Sequence, residues 1–170
     1  MGTFLFNAHA LTTDRDAVAT ALSTLKGGLP AYVSEPRDGW VSVYSKDAEA
    51  HVVARKVSEM LGLLAVSFEV YDSDDLRCSV YREGKRVARR HTGPEVEEPE
   101  PGDPKKFAKV ASGASIAELE RVLGARPVFA EETAFEIGAL FGIPHERVNF
   151  SYRWVTREEP APAWVAHATP

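Results

Sequence analysis

Cysteine is nearly absent. Cys78 stands alone, which excludes an intramolecular disulfide framework and makes the reducing cytoplasm the expected compartment. Long hydrophobic runs are also missing: the longest, near residues 61–66, falls far short of the roughly 20 residues that a membrane-crossing helix needs. No membrane partner is expected. The opening MGTFLFNAHALTTDRD has no basic leader, and Asn7 and His9 interrupt its apolar run. Phe6 stands where a myristoylation motif needs Ser or Thr, so neither export nor lipid anchoring is expected. Neither half of the chain carries a surplus of charge. Acids and bases balance within residues 1–94 and within 104–170, and the net charge of -5 arises from Glu95, Glu97, Glu98, Glu100 and Asp103. It supplies neither a global acidic surface for a cationic partner nor a basic field for nucleic acid or anionic lipid.

Motifs of catalysis are lacking as well. His9, His51, His91, His145 and His167 are scattered, with no HxH, HExxH or cysteine partner, so no metal site is expected. GxSxG, P-loop and GxGxxG patterns do not occur; Gly27-Gly28 lacks the residues that would complete either glycine motif. No cofactor is expected, and the balance leans away from an enzyme. Cys78 falls inside a strand pattern, where a small buried apolar residue is a better reading than a thiolate nucleophile.

What is present is a division. The run GPEVEEPEPGD, residues 93–103, is rich in proline and glutamate and separates two better-patterned regions, 1–92 and 104–157, with an irregular tail expected over 158–170. In the first region, FLFNAHAL opens a strand. Thr12-Thr13-Asp14 then offers a cap for a helix carrying Val18, Ala21, Leu22 and Leu25, closed by Gly27-Gly28. Residues 31–33 and 40–44 predict a hairpin. Ser45 or Asp47 can cap a second helix with a Val53, Val57, Met60, Leu61 stripe that Gly62 stops. Residues 64–71, 76–82 and 86–91 alternate as three further strands. The expected fold class is α+β: a ferredoxin-like (split βαβ) first half with an added hairpin, then a helical segment and a final short strand. In the second region Asp103-Pro104 starts a short helix, Ser115 and Glu118 predict a capping box, and residues 128–141 a longer helix. Phe150, Tyr152 and Trp154 alternate with Ser151, Arg153 and Val155 as the final strand.

The segment VSFEVYDSDDLRCSVYREGKRV, within residues 64–90, resembles a hairpin of uncharacterised bacterial proteins in which an acidic DSD joins a strand to an aromatic-rich strand. The resemblance implies no activity. It draws attention to Asp72, Asp74 and Asp75, which could bind a hard cation or serve acid-base chemistry with a histidine. Turn chemistry accounts for them first, because Asp and Ser bond their own backbone in tight turns, and the spacing is not that of an EF-hand.

Three other features invite a function. GWVSVY, residues 39–44, resembles the aromatic central strand of RNA-recognition domains, but a stacking aromatic and a preceding base are missing, so nucleic acid is disfavoured. Lys85, Arg86, Arg89, Arg90 and His91 form the one basic cluster; strict alternation sends Arg86 and Arg90 to one face, as befits a charged edge strand. Residues 139–148 resemble a helix-turn-helix bend that is poor in bases, with Arg147 alone in the would-be recognition helix. The leading expectation is a non-enzymatic intracellular interaction or regulatory module with a protein partner, of which an immunity- or antitoxin-type inhibitor is one form. Its candidate surface is Trp40, Tyr44, Tyr152 and Trp154, since large aromatics concentrate interface energy. The alternative is a small enzyme or ligand-binding protein using Asp72 to Asp75, recognisable by a pocket that joins those carboxylates to His9 or His51. An RNA-recognition-like binder is a lesser one.

Overall fold

The apolar opening forms β1 (Leu5–Leu11), and the Asp14 carboxylate accepts the Ala17 backbone N–H to cap α1 (Arg15–Ser23). A computed structural model describes residues 2–25, 30–46, 49–111, 113–157 and 162–168. The expected closure of α1 at Gly27-Gly28 and the Asp47 cap lie outside the described residues. β2 (Ala31–Ser34) and β3 (Trp40–Ser45) pair as a hairpin. α2 (Ala50–Leu61) ends at Gly62, whose φ of 65° is the left-handed conformation that a glycine adopts without a Cβ penalty. Val53 and Val57 of its stripe are buried, whereas Met60 faces solvent.

β4 (Leu64–Tyr71), β5 (Asp75–Arg82) and β6 (Lys85–Thr92) form a meander. Asp72 and Ser73 take positive φ of 51° and 64°, and the Asp74 N–H bonds the Tyr71 carbonyl. The acidic run is therefore a tight hairpin turn of the kind that matches strand twist, with Asp at a position it tolerates better than most residues. α3 (Pro104–Ala108) starts at an Asp103 cap with Pro104 in its first turn, and α4 (Ile116–Gly124) starts at the reciprocal Ser115–Glu118 capping box. α5 (Ala130–Leu140), α6 (His145–Val148), α7 (Tyr152–Arg157) and β7 (Val165–Ala168) complete the chain.

The protein is a mixed α+β fold built on one seven-stranded sheet in the order β6-β5-β4-β1-β3-β2-β7, with every neighbouring pair antiparallel. Alternation along the strands splits the sheet into two apolar faces. Ala8, Ala10, Val41 and Val43 pack with Val18, Leu22, Val53 and Val57 of α1 and α2. On the other face Leu5, Trp40, Val66, Phe68, Cys78 and Val80 pack beneath α3 to α6, where Phe107, Leu119, Ile137 and Val148 close the larger core. Helices cover both faces. Residues 93–103 contribute no helix or strand, but they do not hang free: Glu100 and His91 exchange main-chain hydrogen bonds of 2.7 and 2.8 Å, and Arg89 pairs with the Glu100 carboxylate. The linker so covers the exposed edge of β6.

Three expectations are corrected. Residues 150–154 are not a strand; Trp154 and Val155 donate their N–H groups to the Ser151 carbonyl, and 152–157 coil as α7. The place beside β2 that a last strand would take belongs to β7, with Tyr32 opposite His167, so part of the tail expected to be irregular is sheet. Finally, a bulge opposite Val80 and Tyr81 inserts Val87 into β6. Arg90 pairs with Cys78 and points to the α3–α6 face, while Arg86 pairs with Tyr81 and points to the other. The bulge separates the two arginines that strict alternation would unite.

Candidate functional site

The structure buries half of the expected aromatic surface. Trp40 is 3% exposed and its indole Nε1 donates to the Phe141 carbonyl at 3.1 Å. Tyr44 is sealed, its hydroxyl donating to the Arg147 carbonyl at 3.0 Å and its ring meeting Phe150 and Trp164 edge-on. Burial pushes its phenol pKa upward. With α3 to α6 over this face, Trp40 and Tyr44 are core and form no stacking platform. Tyr152 leans on Tyr32, ring centroids 5.4 Å apart, and Trp154 is 52% exposed. Two positions apart on a helix, these side chains no longer share a face.

Beside Tyr44 the same face carries a buried polar chain. Asn7 donates through Nδ2 to the carbonyls of Val148 and Phe150, at 2.7 and 2.8 Å. Its Oδ1 is 2.8 Å from His9 Nε2, and His9 Nδ1 is 2.9 Å from Ser42 Oγ. The amide orientation assigns the proton to Nε2, leaving Nδ1 to accept from the serine hydroxyl. Ser, His and Asn in one line suggest nucleophilic catalysis, but all three are buried beneath α6 and the residues after it. Burial, with the Arg147 charge, lowers the His9 pKa to about 3, so the imidazole is neutral. The chain ties β1 and β3 to residues 148–150. Cys78 is equally sealed and burial raises its thiol pKa, so it offers no thiolate.

On the α1–α2 face, Glu69 is a fully buried carboxylate. Oε1 accepts the His51 backbone N–H at 3.0 Å and lies 2.9 Å from His51 Nδ1, while Oε2 accepts from Arg77 Nη1 at 3.2 Å. Glu49, at the N-cap of α2, makes no side-chain cap bond; Glu69 reaches across from β4 and serves the positive end of the helix instead. His51 Nε2 meets Glu49 at 3.0 Å. This cluster anchors α2 to the sheet.

The acidic turn lies where surface features converge. Asp72 Oδ1 accepts the Gly2 N–H at 2.9 Å; Ser73 Oγ accepts the Thr3 N–H at 2.7 Å and lies 3.1 Å from Glu131 Oε1; the Ser73 carbonyl accepts the Ala130 N–H at 2.8 Å. Asp74 faces a cleft of about 710 Å³ between the ends of β5 and β6, the proline-rich linker and the α4–α5 connection. Asp75 turns away toward Arg89 and His91. The three carboxylates diverge, and among the described residues no group of three or more His, Cys, Asp or Glu side chains is placed to hold a metal ion. Neither His9 nor His51 lines the cleft, so the acid-base pairing imagined for the turn does not assemble.

Instead the cleft joins Asp74 and Ser73 to Arg90, Thr92, Thr133 and the apolar Leu76 and Ala130. Val128, on its wall, is 81% exposed, and neighbouring Phe129 50%. Val128 and Phe129 were not among the residues expected to form a site, and Arg90 was expected only as part of a charged edge strand. Arg90 carried the signal of a base at a position facing an apolar neighbour strand, and Val128-Phe129 that of two large apolar residues ahead of a helix start. Comparison with protein-family models, with curated proteins and with solved structures finds no match for this chain.

Proposed function

We propose that this protein is a non-enzymatic interaction or regulatory module of the cytoplasm that engages a partner protein through the corner where the acidic turn meets the start of α5. One observation carries the reading: Val128 and Phe129 stand exposed side by side on a corner fixed by the Ala130–Ser73 main-chain bond. Large apolar groups held on a rigid support bind with little ordering cost, and Asp72 and Asp74 provide a polar rim. The groups that could do chemistry, His9, Ser42 and Cys78, are by contrast enclosed. An immunity- or antitoxin-type inhibitor is one concrete form of such a module. The scaffold is read as a ferredoxin-like split βαβ unit, supported by the β4-β1-β3-β2 order and by α1 and α2 sharing a face, with β5–β6 and β7 extending its two edges.

The test is capture of the co-purifying partner, identified by mass spectrometry, with a Val128→Ser/Phe129→Ala variant. Exposed substitutions of this kind shift stability by only about 0.5 kcal/mol, so the variant should melt with the wild type and lose the partner. Trp154→Ala should keep it. Loss with Trp154→Ala and retention with the corner variant would move the surface to α7.

A second reading, a ligand-binding protein using the acidic turn, is favoured by one specific observation: Ser73 and Asp74 form part of the wall of the 710 Å³ cleft, a size suited to a small molecule.

A further inference from the structure

We infer that this cleft binds a small organic anion carrying one carboxylate on an apolar body, with Arg90 as the group that receives the carboxylate. The inference rests on the ligand-binding reading. Arg90 is 5% exposed, yet it forms no ion pair with a carboxylate among the described residues. Its guanidinium donates through Nη1 to the carbonyls of Pro101, at 2.7 Å, and Leu123, and through Nη2 lies 3.4 Å from that of Ala125. A guanidinium has five N–H donors, and here Nε is buried without a partner. The carbonyls at the end of α4 supply partial negative charge but not a counter-ion. Glu69, the comparably buried carboxylate, meets both His51 and Arg77. A buried cation opposite neutral acceptors alone leaves a desolvation cost that an anion entering the cleft would offset.

The walls select the kind of anion. Leu76, Ala130 and Pro101 offer apolar surface, and the hydroxyls of Thr92 and Thr133 add neutral hydrogen-bonding groups. The exposed Arg126 on the wall is offset by Asp74, so a phosphate would set about two negative charges against one enclosed cation, whereas a single carboxylate matches the charge and fits the planar fork. The glutamates of the adjacent linker weigh in the same direction, against highly charged ligands.

The experiment is calorimetric titration of the full chain with phenylacetate and hexanoate, beside neutral phenylacetamide and inorganic phosphate. The two carboxylates should bind saturably at one site, at least tenfold tighter than the amide or phosphate. Arg90→Lys keeps the charge but loses the fork, and should weaken phenylacetate at least tenfold. Ala125→Phe leaves the Arg90 bonds intact, because residue 125 contributes its carbonyl, and fills the cleft; this variant should melt like wild type and bind neither carboxylate. Carboxylate binding that survives Ala125→Phe overturns the site. If the amide binds and is blocked by Ala125→Phe while the carboxylates do not bind, the ligand-binding reading stands and the carboxylate assignment falls. If none of the probes binds, the assignment falls and the ligand-binding reading loses its support.

Discussion

Trp40→Ala should lower stability by about 3–5 kcal/mol, a drop in melting temperature on the order of 10 °C for a chain of this size. The indole is enclosed between the sheet and Phe141, its ring 6.5 Å from that of Phe141, and truncation leaves both a cavity and a carbonyl deprived of its donor. Thermal melts read the effect directly. The half-exposed Trp154 should tolerate the same truncation within roughly 0.5 kcal/mol. Equal melting of the two variants would mean that α3 to α6 do not cover the sheet as described.

The second large effect is on pH. His9 has its pKa lowered from 6.5 to about 3 in the folded protein, so as pH falls below 6.5 the unfolded chain takes up a proton that the folded chain refuses. The sign is destabilisation by acid: the contribution is whole above pH 6.5 and is lost progressively toward pH 3, at about 1.4 kcal/mol per pH unit. Near pH 4.5 the loss should reach roughly 2–3 kcal/mol. Carboxylates titrate in part of this range, so the informative quantity is the difference between wild type and His9→Gln, measured by urea unfolding from pH 7 to 4.5. Gln cannot titrate, and its stability should fall less steeply. Parallel profiles would show that His9 is not buried neutral.

Much of the fold was legible because its signals are local. Asp14, Gly62 and the Ser115–Glu118 box cap their helices through residues a few positions away, and the alternation in β4 sends Val66, Phe68 and Val70 to the larger core and Ser67 and Glu69 to the other face. The end of the chain was not legible. Six residues with period-two aromatics fit a strand or little more than one helical turn, and VAHA is a strand only because the edge of β2 receives it. The candidate aromatic surface failed at Trp40 and Tyr44 for a tertiary reason: alternation says that both point one way, not what covers them. The turn chemistry of Asp72 and Ser73 is also local, and their positive φ follows from it. Which of the neighbouring carboxylates faces a cleft depends on segments far apart in sequence, the linker and the α4–α5 connection. The Val87 bulge, invisible to any fixed period, decides which arginines share a face.

On the proposed function, partner binding belongs to the corner of the acidic turn and α5, and the sheet interior serves structure. Hydrogen exchange followed by mass spectrometry, on the protein alone and with its co-purified partner, tests it most directly. Partner binding should add protection in residues 71–76 and 123–133 and leave β1 and β3 unchanged. Protection confined to residues 150–157, with the corner exchanging as freely as in the protein alone, would contradict it.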